Sequence, residues 1–303
     1  MSAVTATRPG VEESAHRRPR LPVLARRWIS SPNAVVGTFL VLAFVVAALL
    51  APVLAPFDPN ATDLRARQIP PAWLDGGTSK HLLGTDQLGR DILSRLVFGS
   101  RIALIVGLGG VALTSVVGVT LGLLAGYFRG RVDVVISRVI DTLLAIPNVL
   151  LYLVALGVFG PSLTMLIVVI GCVNWTTFAR VVRGEVMAVS EREFVDAARA
   201  NGARDVRVML RHVLPSVAAP ILVVGTLNVA TIIILEASLS FLGFGVQPPT
   251  VTWGRMLADG RDYLATAWWL ATFPGVAITL LGLGLLFLGD WLRDVLDPRL
   301  RGR

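Results

Sequence analysis

The residues able to do chemistry are few and far apart. Three histidines, His16, His81 and His212, stand at distant positions, and the one cysteine, Cys172, lies inside an apolar run. That spacing suits neither a zinc site nor a disulfide framework. The one lysine, Lys80, follows Ser79, so no glycine-lysine pair exists to reach the terminal phosphates of a nucleotide from a Walker A loop. No catalytic constellation stands out, so the chain reads as a non-enzyme. Any ATP hydrolysis belongs to a separate ATPase chain, and no cofactor or metal is expected here.

The most specific segment runs from Ser190 to Pro215. Ser190 and Glu193 have capping-box spacing, which predicts a helix start at Ser190. Asn201-Gly202 supplies residues that tolerate a left-handed backbone, so that helix should stop there. A second short helix is expected from about Asp205 to His212, followed by Leu214 and by Pro215 at the return to the next apolar run. Two short helices about a glycine make a knob. Ala197 and Ala198 let another surface approach closely beside Asp196, and Phe194 with Val195 offers an apolar anchor. The knob suits a groove on a partner protein. A helical hairpin lying on a membrane surface satisfies the same pattern.

The elements that position this knob are set by apolar length. Of the 303 residues, 54% are hydrophobic and 16% charged, against about 25% charged in an average soluble domain. Six runs are long enough to cross about 30 Å of hydrocarbon: residues 34–54, 102–125, 142–159, 163–179, 217–235 and 268–288. Each must satisfy its own backbone in lipid, so each is expected to be a helix. The first is too long for a signal-peptide core, and Pro52 and Pro56 interrupt the cleavage zone, so it reads as an anchor.

The net charge of +8 would suit nucleic acid in a soluble protein. Here the basic residues flank the runs, which points to membrane topology and to no nucleic-acid partner. Arg8, Arg17, Arg18, Arg20, Arg26 and Arg27 precede the first run. Further arginines fill the connections after the second and fourth runs, and Arg293, Arg299, Arg301 and Arg303 follow the sixth. The positive-inside rule puts all of these, and both termini, in the cytoplasm. The division is then a cytoplasmic tail 1–33, a transmembrane region 34–289 and a cytoplasmic tail 290–303. Within it, 57–101 and 236–267 lie outside the membrane, and 180–216 forms the cytoplasmic loop.

As bounded, the six runs contain no Asp, Glu, Lys, Arg or His. Proton- or sodium-coupled carriers generally place ionisable groups or broken-helix ion sites near the midplane, which argues against a self-sufficient secondary carrier. Asn148, Asn174 and Asn228 read first as interhelical hydrogen-bonding groups. Pro147, Pro220 and Pro274 should kink or break their helices. Such irregular backbone either lines a cavity or serves ordinary packing.

Asp196-Ala197-Ala198, then Gly202 and the downstream Leu214-Pro215, resembles the EAA loop of ABC-importer permeases, with Asp196 where that pattern has glutamate. Two further stretches are similar to the binding-protein-dependent dipeptide/oligopeptide permeases, C-type subunit. One runs from His81 to Asp91 through Asp86 and Arg90, and the other from Leu239 to Pro249 through Gly243, Phe244, Gly245, Gln247 and Pro248. The resemblance covers nearly the whole chain beyond the N-terminal tail. It implies an all-α membrane protein of six transmembrane helices with the type I ABC importer fold, in a bacterial cytoplasmic membrane. It also implies a second homologous permease forming a heterodimer, two ATPases carrying ATP and Mg, and an extracytoplasmic binding protein. The knob from Phe194 to His212 and Pro215 would couple to the ATPases. Peptide is the implied cargo; close relatives also carry nickel, glutathione or antimicrobial peptides, and the alternative is the same machinery importing nickel, glutathione or haem. Asp86, Arg90, Asp91, Gly243, Phe244, Gly245, Gln247, Pro248 and Trp253 could then meet the binding protein at the outer mouth. A solvated connector, or a packing element without ligand contact, fits those stretches as well. Trp253, Trp268 and Trp269 suit a membrane interface.

Overall fold

The computed structural model describes residues 28–296 of the 303. The arginines of the N-terminal stretch and those at 299, 301 and 303 lie outside the described residues. Within them the chain is helical, and only an isolated bridge between Thr85 and Asp91 has strand pairing.

Five helices are long and apolar enough to cross a membrane, and a bent pair makes a sixth crossing if counted as one. They are α1 (Pro32–Leu49), α2 (Ile92–Phe128), the pair α3 (Gly130–Leu144) and α4 (Asn148–Phe159), α5 (Leu163–Ser190), α7 (Ala218–Phe241) and α9 (Trp269–Leu296). Two shorter helices, α6 (Glu193–Ala200) and α8 (Trp253–Gly260), stand in the connections.

The termini of these helices are set by local side chains. Ser162 Oγ accepts from the Met165 amide at 3.1 Å at the start of α5, and Thr252 Oγ1 from the Arg255 amide at 3.2 Å at the start of α8. Asp91 does the same for α2. Each satisfies an amide that the first helical turn leaves without a partner.

Small residues decide how closely the helices pack. Gly118, Gly122 and Gly126 are spaced by four, so they share one face of α2. A Cβ at Gly122 would stand 2.7 Å from the Ala179 carbonyl oxygen, and one at Gly126 2.7 Å from that of Arg183. The α5 backbone therefore lies directly on α2. Gly37 and Gly284 make a second close crossing, between α1 and α9.

Two expectations are corrected. Residues 142–159 are not one helix: the chain breaks at 145–147, and α3 and α4 meet at 84°. Pro147 lacks the amide a continuous helix needs there. Pro220 sits in the first turn of α7 and breaks nothing, and Pro274 stays inside an unbroken α9. Second, the helices outrun the apolar stretches, so spanning helices do contain ionisable groups. Glu236, one residue beyond the expected 217–235, is enclosed in α7 and accepts from Ser240 Oγ at 2.6 Å.

Candidate docking loop and outer cap

The arginine-rich loop after α5 is built on the ends of α2 and α5. Val182, Val186 and Val189 continue an apolar stripe past residue 179, so α5 runs on to Ser190. Ser190 is thus the last residue of a helix and not the cap of the next. Its hydroxyl is buried without a partner, and α6 starts at Glu193 behind Arg192. The helix stop is where the sequence places it. Gly202 has φ +77°, and its amide donates to the Arg199 carbonyl at 2.9 Å.

After the turn, Asp205–Val208 is helical, Met209–Val213 widens to a π turn, and Leu214–Ser216 leads into α7. Val195, Val208, Met209 and Val213 point inward onto Leu123, Tyr127, Val186 and Val189. Val195 is fully buried, so it is no external anchor. Phe194 remains 41% exposed, and Val206 and Leu210, not singled out in the sequence, are 60% and 53% exposed. Asp196, Ala197, Gly202 and Pro215 are exposed, whereas Ala198, His212 and Leu214 are half-buried. The outer face is therefore an apolar group of Phe194, Val206 and Leu210, with Asp196 and Ala197 among the exposed residues.

A polar clasp fixes the loop to α2. Tyr127 Oη donates to Asp205 Oδ1 at 2.8 Å. The Arg199 guanidinium lies over the Tyr127 ring at 5.0 Å and donates to its hydroxyl at 3.5 Å. The hydrogen bond to Tyr127, with help from the nearby Asp196 and Asp205 carboxylates, holds Arg199 above its ordinary pKa. It stays charged at any working pH. Arg129, at φ +53°, donates to the Met187 carbonyl at 3.0 Å and pairs with Glu191 at 3.0 Å.

At the far end of α2, residues 57–91 and α8 form a cap. Asp86 accepts from the amides of Leu88 and Arg90, each at 2.9 Å, and from Arg90 Nε at 2.6 Å. Arg95 and Asp259 extend this charge cluster to α8, each at 3.7 Å. Asp91 pairs with His81 Nδ1 at 2.9 Å and accepts from Ser94 through amide and hydroxyl, both at 2.8 Å. Ser94 Oγ in turn accepts from the Phe57 amide at 3.1 Å. The turn-rich charges thus face one another and not solvent.

Trp253 is only 2% exposed, and its indole donates to the Leu96 carbonyl at 2.9 Å. Trp269 is buried as well and donates to the Thr85 carbonyl at 3.2 Å. Neither belongs to an interface belt; of the three tryptophans expected there, Trp268 alone is exposed. Of the residues expected at the outer mouth, Asp86, Asp91, Gly245 and Trp253 are enclosed. Arg90 and Phe244 are half-buried, and Gly243, Gln247 and Pro248 are exposed. Gln247 Nε2 donates to the carbonyls of Gly243 and Gly245 at 3.1 and 2.9 Å, closing the loop after α7.

Residues 118–302 match the family described as "Binding-protein-dependent transport system inner membrane component", and residues 24–71 the "N-terminal TM domain of oligopeptide transport permease C". The chain is 43% identical to the di/tripeptide transport system permease protein DppC of Pseudomonas aeruginosa, over 89% of each chain. It is 40% identical to the dipeptide transport system permease protein DppC of Haemophilus influenzae, over 89% of this chain and 91% of that one. It is 37% identical to the glutathione transport system permease protein GsiD of Pectobacterium atrosepticum, over 99% and 97%.

Proposed function

Because this chain belongs to the family of binding-protein-dependent transport system inner membrane components, we propose that it is the permease subunit of an ATP-driven importer of short peptides. The observation that carries the cargo is 43% identity, over 89% of the chain, to a di/tripeptide permease. The loop at 190–216 docks on separate ATPase subunits, the sites of ATP and Mg. Its exposed Phe194, Val206 and Leu210 enter a groove, and Ala197 allows close approach. The clasp of Tyr127, Arg199 and Asp205 passes movement of the loop to α2. The arginine-rich end is then cytoplasmic and the cap external. A second permease completes the transmembrane unit, and the exposed Gly243, Gln247 and Pro248 meet the binding protein.

The test is uptake of labelled di- and tripeptides by vesicles holding the complete complex with internal ATP. Saturable, ATP-dependent uptake is expected, and its absence overturns the reading. Glutathione is the second candidate, favoured by the likeness to a glutathione permease over 99% of the chain. Excess unlabelled glutathione abolishing dipeptide uptake, with higher affinity than any dipeptide, would make it the cargo.

A further inference from the structure

The break between α3 and α4 lies beside α5. Leu143, just before it, packs against the cluster of Ile140, Trp175 and Ala179, and Tyr152, a turn beyond it in α4, donates from its hydroxyl to Asn174 Oδ1 at 2.6 Å. The break is therefore level with the stretch of α5 from Asn174 to Ala179. Taking the turn at 160–162 as the edge of the membrane, that stretch is roughly 17–24 Å along α5, inside a hydrocarbon layer about 30 Å thick.

At this depth the backbone is incompletely paired. The Ala145 amide donates to Asp141 and that of Ile146 to Leu143. Among the described residues, the carbonyls of Leu144, Ala145 and Ile146 and the amides of Asn148 and Val149 have no backbone partner. Leu144, Ala145, Ile146 and Pro147 are all exposed, so these groups face away from the chain's own bundle. Free backbone groups in lipid cost several kcal/mol each, and irregular backbone at membrane depth occurs only within protein or beside water. A second observation separates these two surroundings. One turn before the break, Asp141 pairs with Arg180 at 3.5 Å, with side chains 65% and 59% exposed. Arg180 is about 25 Å along α5, still inside the layer. An ion pair so open is costly in hydrocarbon and is at home in a water-filled cavity.

We infer that the break at 144–148, with the Asp141–Arg180 pair beside it, lines the water-filled route through the assembled transporter. This rests on the importer reading above. At the break the route meets apolar side chains and bare backbone donors and acceptors. Such a wall hydrogen-bonds a peptide main chain without selecting the charge of its side chains.

Cysteine labelling tests it in the complete complex. The exposed Cys172 is first replaced by serine. Ala145→Cys and Ile146→Cys are then compared with Phe39→Cys and Leu42→Cys, on the exposed apolar face of α1, using a charged methanethiosulfonate. Labelling of either break position at least tenfold faster than both α1 positions, in the resting or the ATP-bound complex, is expected. Equal rates in both states overturn the inference. The label reads water whether or not peptide is the cargo, and dipeptide uptake by the same vesicles tests the importer reading separately.

Discussion

Gly202 and Tyr127 show what single residues do for the loop. A residue with a Cβ costs roughly 1–2 kcal/mol in the left-handed region that Gly202 occupies, and β-branched ones are the worst placed. No neighbouring atom lies within 4 Å of the position of that Cβ, so the penalty is purely one of backbone conformation. Gly202→Asn should therefore keep near-normal uptake. Gly202→Val should assemble but lose most of its transport-coupled ATPase activity, measured on the purified complex. Tyr127→Phe removes the hydroxyl between Arg199 and Asp205, at about 1 kcal/mol. It should lower coupling by a few-fold while leaving the complex intact by size-exclusion chromatography. The Gly202 turn was legible because glycine after asparagine leaves few alternatives. The partners of Asp86 and Asp91 were not, because charges among turn residues look the same in sequence whether they face water or one another.

At the scale of elements, apolar length located the spanning helices but not their ends. Val182, Val186 and Val189 carry an apolar stripe through a segment that also holds Arg180, Arg183 and Glu185. Composition reads a loop there, whereas helical spacing extends α5 by three turns. The third crossing misled in the opposite way. Hydropathy averages over Pro147 and so gives one run, while α3 alternates valines with Arg131, Asp133, Arg138 and Asp141 and resembles a connection. The seam between α2 and α5 yields a contrast. Gly122→Leu would drive a side chain into the Ala179 carbonyl, and overpacking costs about 1–3 kcal/mol or more against rigid backbone. It should sharply reduce folded protein in detergent, scored by fluorescence-detected chromatography. Gly184→Ala, on the same α5 but with no atom within 4 Å, should be neutral or slightly stabilising.

At the scale of the whole molecule, the importer reading makes the energy source external to this chain. Uptake should persist when a protonophore collapses the gradient at fixed internal ATP, and stop when ATP is depleted. Glu236 sharpens that expectation, since it is an enclosed acid within a spanning helix. If its carboxyl only accepts from Ser240, Glu236→Gln keeps an acceptor in place, and uptake should stay within about twofold of wild type with an unchanged pH profile. Gradient-dependent uptake that vanishes in Glu236→Gln would instead make it a proton carrier.

The 37 residues of α2 make a rod about 55 Å long, nearly twice the thickness of the hydrocarbon layer. Its two ends are held by different partners: Tyr127 at one end bonds Asp205 of the loop after α5, and Asp91 at the other is locked into the cap. A rod held this way is a lever. A tilt of about 5° at the loop moves the far end by about 5 Å for a rod of that length, more than a carbon–carbon contact distance. If the loop is displaced as the importer reading requires, a rigid α2 would carry that displacement to the cap, and the two ends of the bundle would share one mechanical coordinate.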